Sequence, residues 1–336
     1  MSLTQRFDDY QQGHTPLGFF LAVVYKFFDD NGPYLAALLT YYAFVSLFPL
    51  LLLGTTILGL VLSGHADLQH QILNSALRDV PVVGKQLDAP NGLSGGTGGL
   101  VVGVIGALYG GLGVGQASQY VMNTAWAVPR NERPNPFRSR VRSLLLLSTA
   151  GLGVLATFAL SAVSTSGPAR LGTLLRVLAL LAAIALNAAV LIMVFRVATA
   201  RDLTIRDVLP GALLAALGWE LLQSFGATYV QHVVRHASDT NGVFALVLGL
   251  LAFLFLSANL VVLCVQVNVV WTRRLYPRAL LTPFTDNVSL TEGDRLTYTR
   301  HAKSERRKGF EQVEVSFDER GQPAGDEQPA GERPQT

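Results

Sequence analysis

The chain has 336 residues, of which 50% are hydrophobic and 15% are charged, and its mean hydropathy is +0.37. Water-soluble domains carry about 25% charged residues, so this composition predicts a helical membrane protein and argues against a soluble one. The net charge of +3 lies in short loops within residues 1–272. This distribution is typical of topology signals and not of a nucleic-acid-binding face. The chain has a single cysteine, Cys264, so an intramolecular disulfide is excluded.

The N-terminal part is polar and then briefly apolar. Residues 17–28 are apolar and aromatic, but a helix rises only about 1.5 Å per residue, too little here for a hydrocarbon core of about 30 Å. With Lys26 included, this segment predicts a helix that lies at the membrane interface. A short helix that caps the bundle is the alternative. We therefore assign residues 1–34 to a cytoplasmic N-terminus with an interfacial helix, retained and not cleaved as a signal peptide.

Six further segments have the length and apolar character of membrane spans. They are residues 35–63, 98–121, 141–165, 171–196, 207–231 and 242–272. The sequence therefore predicts an all-α polytopic membrane protein, with a bundle of about six transmembrane helices over residues 35–272. Residues 273–336 are rich in charge, Gly and Pro, and predict a polar, mostly disordered cytoplasmic tail.

The first two spans contain residues that favour bending and close packing. Pro49 lies inside the first span and predicts a kink, because proline removes one helical hydrogen bond. The second span carries glycine pairs spaced four apart, which allow a neighbouring helix to approach its backbone. These pairs are Gly99 and Gly103, Gly106 and Gly110, and Gly111 and Gly115. Both features would allow the helices to rearrange.

Basic residues are distributed unevenly between the loops. The loops after the second and fourth spans, with the residues that border them, contain eight arginines, whereas the other loops contain four basic residues. The positive-inside rule then places both termini in the cytoplasm, and an even number of spans agrees with that placement.

Polar side chains recur inside the predicted spans. Glu220 lies near the middle of the fifth span, and a carboxylate at that depth costs a few kcal/mol, so it is expected to face a protein interior or a wet cavity. The other polar residues are Tyr42, Ser46, Gln116, Gln119, Asn123, Asn187, Gln223, Asn259 and Gln266. Together they predict a polar interior that opens toward the cytoplasm, with Glu220 near its deepest point. Ordinary interhelical packing is the alternative for each amide, and a buried pair or a neutral carboxyl is the alternative for Glu220.

No motif for catalysis or metal binding accompanies these residues. His232 and His236 are spaced four apart, but neither an HExxH pattern nor a nearby carboxylate pair supports a metal site. The GLGVGQAS stretch at 111–118 lacks the third glycine of a dinucleotide-binding loop and follows no strand. We therefore expect no cofactor, no metal, no enzymatic activity and no nucleic-acid partner.

Four stretches resemble the YihY/virulence factor BrkB family of bacterial inner-membrane proteins. They are LLTYYAFVSLFPLLLL (38–53), MNTAWAVPR followed by RPNPFRSRVRSLLLL (122–147), RDVLPGALLAALGWELLQ (206–223) and NGVFALVLGLLAFLFLSANLVVLCVQVNVVW (241–271). The resemblance implies a multi-pass inner-membrane protein with about six spans. Near the end of span six the family often has a glutamate, in a pattern like GAELN, where this chain has Gln266. Some members have been labelled a tRNA-processing ribonuclease, ribonuclease BN, and others are discussed as candidates for lipid or envelope-precursor transport.

These observations favour one function over two others. The first is a transporter or a translocase of lipids or envelope precursors, with a polar cavity that faces the cytoplasm. The alternative is a non-transporting membrane scaffold, a homo-oligomer or a partner of an envelope complex, in which the polar residues satisfy one another. A membrane-associated ribonuclease is least favoured, because no metal or nucleophile site can be assembled. The expected partners are the bilayer itself and a lipid-like substrate.

Overall fold

A computed structural model of the chain describes residues 3–61, 97–165, 172–236, 239–285 and 288–317. Within these ranges the protein is helical and has no β-strand, so the predicted all-α class is confirmed. The helices are α1 (Leu3–Gly13), α2 (Thr15–Asp29), α3 (Gly32–Val61), α4 (Thr97–Ala125), α5 (Pro136–Thr165), α6 (Gly172–Ala198), α7 (Ile205–His236), α8 (Asp239–Arg273) and α9 (Glu292–Ser304). A short 3-10 turn spans Arg130–Glu132.

The six long helices, α3 to α8, form a ring. Each packs against the next helix in the sequence, and α8 closes the ring by packing against α3. Helix α4 also contacts α6 and α8 across the ring. The short helix α2 packs against α8 and α3, and α1 packs against α2.

One end of the ring, which we call the base, contains the end of α4, the loop between α6 and α7, and the end of α8. Most of the fully buried apolar side chains lie here, in one cluster that joins α2 and the ends of the long helices. Its buried members are Ala22, Val23, Met122, Ala125, Trp126, Val128, Leu146, Phe195, Ala198, Leu203, Val208, Ala212, Val265, Val269, Val270 and Leu275. Hydrophobic burial therefore stabilises the base more than any other part of the described ring.

Burial decreases along the helices with distance from the base. In the described part of α6, no residue from 177 to 187 is buried, and in α7 none from 217 to 226 is buried. In α8, Leu250 is the one buried residue between 247 and 257. Many large apolar side chains are exposed in these segments, as expected for helices surrounded by lipid.

Three segments of the described helices are long and apolar enough to cross a membrane. They are Val177–Ala198, Ile205–Gly226 and Val247–Arg273. A shorter apolar segment covers Gly32–Leu47. The three segments overlap the predicted spans four, five and six, and the count of about six spans stays a prediction.

Glycines of α4 lie close to α3 and α5, and the role predicted for them in helix rearrangement stays a prediction. A Cβ atom at Gly110 would lie 2.6 Å from the Cα of Ser46, and one at Gly106 would lie 2.8 Å from Pro49. Gly111 and Gly115 make similar approaches to Leu147 and Ser143 on α5. Gly99 and Gly103 lie in α4, but their surroundings are outside the described part. Pro49 lies inside α3, as predicted, and its kink stays a prediction.

The N-terminal helix α2 packs into the base. Ala22 and Val23 belong to the buried cluster, and Lys26 is only 5% exposed. This packing agrees with the alternative in which the segment caps the bundle. The interfacial position predicted for residues 17–28 stays a prediction.

The tail differs from the predicted disorder. Residues 292–304 form α9, which begins with a capping box between Thr291 and Asp294. The fully buried Arg278 is paired with Asp29 at 2.5 Å and with Asp294 at 2.7 Å. A charge-rich composition predicts disorder because an unpaired charge is more stable in water than in a protein interior. In this tail Arg278 is instead neutralised by Asp29 of α2 and by Asp294 of α9. The prediction also covered residues 318–336, which lie outside the described part.

Candidate functional site

A hydrogen-bonded pair joins two of the candidate spans. Asn187 of α6 donates from Nδ2 to Oε1 of Glu220 on α7 at 3.3 Å. Both side chains are partly buried. At about 1.5 Å per residue, Asn187 lies about 17 Å from Ala198 and Glu220 about 22 Å from Ile205. Both residues therefore lie within candidate spans, Asn187 near the middle of Val177–Ala198 and Glu220 in the second half of Ile205–Gly226.

Glu220 has an unusual setting for a carboxylate. The other carboxylate in the three candidate spans is Asp207, which lies at the base end of α7. Leu217 and Leu221, next to Glu220 on α7, are 47% and 60% exposed. The Asn187 bond is at the long end of the normal range, so it satisfies the carboxylate only in part. The arrangement presents a hydrogen-bond acceptor next to an apolar surface.

Two further predicted residues, one on α7 and one on α8, do not join this pair. Gln223 is half-buried on α7, three residues beyond Glu220. Asn259 of α8 donates its Nδ2 to the carbonyl of Phe255 in its own helix at 2.8 Å. Asn259 is therefore bonded within its own helix, and this bond is neither to the pair nor between helices.

The predicted polar residues nearest the base connect helices to one another. Gln119 donates to the Ser143 hydroxyl and to the Ser139 carbonyl, both at 2.9 Å. Asn123 accepts a 2.7 Å hydrogen bond from the backbone N–H of Ala200. All three bonds join α4 to a neighbouring element at the base, so Gln119 and Asn123 act as interhelical contacts. The structure differs here from the predicted polar cavity open at this end.

The remaining predicted residues are distributed over α3, α4 and α8. Tyr42 and Ser46 pack against glycines of α4, and the Ser46 hydroxyl donates to the Ala43 carbonyl of its own helix at 2.9 Å. Gln266 is fully buried and donates to Asp30 at 2.9 Å. Gln116 is exposed on α4, so the structure does not bring it to the other polar residues.

Sequence reasoning missed an ionic network at the base. Lys26 is paired with Asp30, and both side chains are almost completely buried. Burial alone would lower the pKa of Arg278, but Asp29 and Asp294 outweigh that effect and raise the pKa. The spacing of four between Lys26 and Asp30 is a detectable helical signal. Arg278 and Asp29 are 249 residues apart, and no local pattern indicates their pairing.

The network also attaches the tail to the N-terminal helices through neutral groups. Gln11 donates to the carbonyl of Arg278 at 2.6 Å, and the Tyr25 hydroxyl donates to the carbonyl of Leu280 at 2.5 Å. The Arg278 guanidinium lies over the rings of Tyr25 and Tyr298, at 5.6 Å and 5.4 Å from their centres.

Within the described ranges, no group of three or more His, Cys, Asp or Glu residues forms a possible metal site.

Three of the apolar helices are long enough to cross a bilayer, and two of these are joined by the Asn187–Glu220 pair. These features define an integral membrane protein. The family described as Virulence factor BrkB matches residues 23–286. Because this match covers most of the chain, the protein belongs to that family, as the resemblance predicted. No significant match to a curated protein or to a solved structure was found.

Proposed function

We propose that the protein translocates an amphipathic, lipid-like substrate, a lipid or an envelope precursor, across the bacterial inner membrane. The observation that carries this proposal is the hydrogen bond between Asn187 and Glu220 inside two candidate spans. A carboxylate at this depth is costly, and the long hydrogen bond from Asn187 satisfies it only in part. A hydrogen bond from a polar group of a substrate would offset the cost of placing this carboxylate in the membrane.

The chemistry around Glu220 suggests the substrate class. A carboxylate accepts hydrogen bonds, so it suits a head group that carries amine or hydroxyl donors. The neighbouring Leu217 and Leu221 offer exposed apolar surface for acyl chains. An amphipathic molecule satisfies both requirements at once, whereas a small ion uses only the carboxylate.

The proposed route passes from the less buried end of the ring toward the base. Beyond the pair, the described parts of α6 and α7 contain no buried residue, whereas the base is filled by the apolar cluster. In this proposal the base is the closed gate, and passage requires the helices to move there. The close contact between α3 and the glycines of α4 is a surface along which such a movement can occur.

The proposal includes six spans with both termini in the cytoplasm. The arginines of both basic loops border the base, where Arg196 donates to the Leu203 carbonyl at 2.8 Å and Arg142 donates to the Thr199 carbonyl at 3.4 Å. By the positive-inside rule, these residues support a cytoplasmic base.

A proteoliposome assay of fluorescent-lipid accessibility tests the proposal. We expect the wild-type protein to accelerate lipid movement between leaflets relative to empty liposomes, and Glu220→Gln to remove most of that acceleration. Asn259→Leu is the matched control, because it also removes an intramembrane polar group but one bonded within its own helix. Equal rates for wild type and empty liposomes, or a fully active Glu220→Gln protein, would contradict the proposal.

A membrane scaffold is the second candidate, and a specific observation favours it. Gln119, Asn123 and Gln266 at the base bond to groups on other elements, which is the arrangement expected of a structural bundle. A scaffold predicts a stable partner that co-purifies with the full-length protein, together with lipid movement equal to that of empty liposomes. Movement that depends on Glu220 would argue against a purely structural role.

A further inference from the structure

A small pocket at the base is lined by basic side chains from three helices. They are Lys26 of α2, Arg273 at the end of α8, and Arg300 and His301 of α9. Trp126, in the turn after α4, forms another part of the wall. None of these residues belongs to the Asn187–Glu220 pair, which lies about 17 Å or more from the helix ends at the base. The pocket is therefore a separate feature of the molecule.

Two of the four basic groups already face a carboxylate. Lys26 forms its buried ion pair with Asp30, which also accepts a hydrogen bond from Gln266 at 2.9 Å. His301 Nδ1 lies 4.0 Å from the other oxygen of Asp30. The negative charge of Asp30 is thus matched by Lys26, and the two arginines are left to determine the charge of the pocket.

Arg273 is held in place without a close counter-ion. Its guanidinium lies 5.7 Å from the centre of the Trp126 ring. Its Nε atom is buried and has no hydrogen-bond partner among the described residues. The charge of Asp207 acts on Arg273, but that carboxylate already accepts hydrogen bonds from the backbone and the hydroxyl of Thr204.

Arg300 adds a second guanidinium to the same pocket. In the described part of the chain, neither Arg300 nor Arg273 lies within 4.0 Å of a carboxylate. Burial and the nearby positive charge of Arg201 both lower the pKa of Arg300. A guanidinium nevertheless remains protonated at neutral pH, so the pocket keeps its positive charge. An anion bound there would relieve the repulsion between these arginines.

The pocket has room for little more than one water molecule, so we propose that a phosphate group binds at its mouth, against Arg273 and Arg300. Planar guanidinium groups match the oxygens of phosphate and bind them with charge-assisted hydrogen bonds. Arg273 ends the candidate span Val247–Arg273, and the exposed Trp271 lies two residues before it, which places the pocket at the membrane surface. Basic pockets at that level bind phosphorylated lipid head groups. Free phosphate presents the same chemistry, and neither source requires the protein to translocate lipid.

Calorimetric titration of the full-length protein in a nonionic detergent, at constant ionic strength, tests this proposal. The two probes are inorganic phosphate and a short-chain phosphatidylglycerol. We expect saturable binding of at least one probe, with a Kd that rises about tenfold in Arg300→Gln, because one charge-assisted contact is lost. Arg295→Gln is the matched control, because it removes the same charge from an exposed position on the same helix.

The two probes distinguish the source of the phosphate. Tighter binding of phosphatidylglycerol identifies a lipid head group, and equal or tighter binding of inorganic phosphate identifies the free anion. If Arg300→Gln fails to fold, Arg300→Lys keeps the charge but loses the planar donors, and we expect it to weaken binding by a smaller factor. Absence of saturable binding of both probes, or equal weakening by Arg295→Gln and Arg300→Gln, would overturn the proposal.

Discussion

Replacing Arg278 with methionine is expected to release the tail from the base. Arg278 is fully buried, and its guanidinium neutralises Asp29 and Asp294 while it packs over two tyrosine rings. Methionine has a similar length and is apolar, so the substitution removes the charge and the donors but retains much of the volume. The two carboxylates would then lack their cationic partner.

The expected cost follows from the burial of those carboxylates. The side chain of Asp294 is 0% exposed and has no contact with water, whereas that of Asp29 is 23% exposed and keeps some contact. Removing one partner of a buried ion pair costs about 3–5 kcal/mol. Asp294 also caps α9 and accepts a hydrogen bond from Ala279 N–H, so its loss of position weakens the start of that helix as well. We therefore expect Arg278→Met to lower the free energy of unfolding of the tail.

Limited proteolysis in detergent, followed by mass spectrometry, measures that change directly. We expect cleavage within residues 288–317 to accelerate by roughly two orders of magnitude or more if local opening governs it, because each 1.4 kcal/mol is about a factor of ten. Arg274→Met is the control, since Arg274 is an exposed neighbour for which a change within about 0.5 kcal/mol is expected. Equal cleavage rates for Arg278→Met and wild type would refute the role assigned to this network.

Three further predictions use matched positions. Gly110→Ala places a Cβ 2.6 Å from the α3 backbone, so we expect it to lower the free energy of unfolding by about 1–3 kcal/mol and to lower the melting temperature. Gly151→Ala is the control, because a Cβ there has nothing within 4 Å, and it should not lower the melting temperature. Gln119→Leu removes two hydrogen bonds to α5, each contributing about 0.5–1.5 kcal/mol, and is expected to lower the melting temperature. Gln116→Leu, on the exposed side of the same helix, is expected to be neutral, and equal melting temperatures for the two variants would contradict the assignment. Backbone N–H groups lower the pKa of Glu311, so the local order that it supports is present above the usual glutamate pKa, about 4.3, and is lost as pH falls through the lowered value. Amide protection factors, which are corrected for the intrinsic pH dependence of exchange, should show this loss in wild type and should not change with pH in Glu311→Gln.

Residues in the candidate site differed in how far they could be predicted. The carboxylate at Glu220 was evident, because an acid in an apolar stretch is costly wherever the helix packs. Its pairing with Asn187 was not, because 33 residues separate them and their contact depends on how α6 and α7 face each other. Gln116 and Gln119 illustrate the same limit. Both are amides on α4, yet one is exposed and the other is buried between helices.

The sequence alone determined the membrane character and the helical class of this protein. Long apolar segments cannot leave their backbone groups unpaired in lipid, so they become helices whatever their neighbours are. The glycine spacing of α4 likewise predicted a close helix contact, because small residues permit it in any arrangement. These features depend on residues that lie near one another in the chain.

Only the tertiary structure decided the ring, the order of the tail and the charge of the base. Composition predicted a mostly disordered tail, but Arg278 is neutralised by Asp29 of the N-terminal helices, 249 residues away. The pocket likewise requires Lys26, Arg273 and Arg300 to meet from three helices. The free energy of a charge depends on its partners and its burial, and both are set by contacts between segments that are distant in sequence.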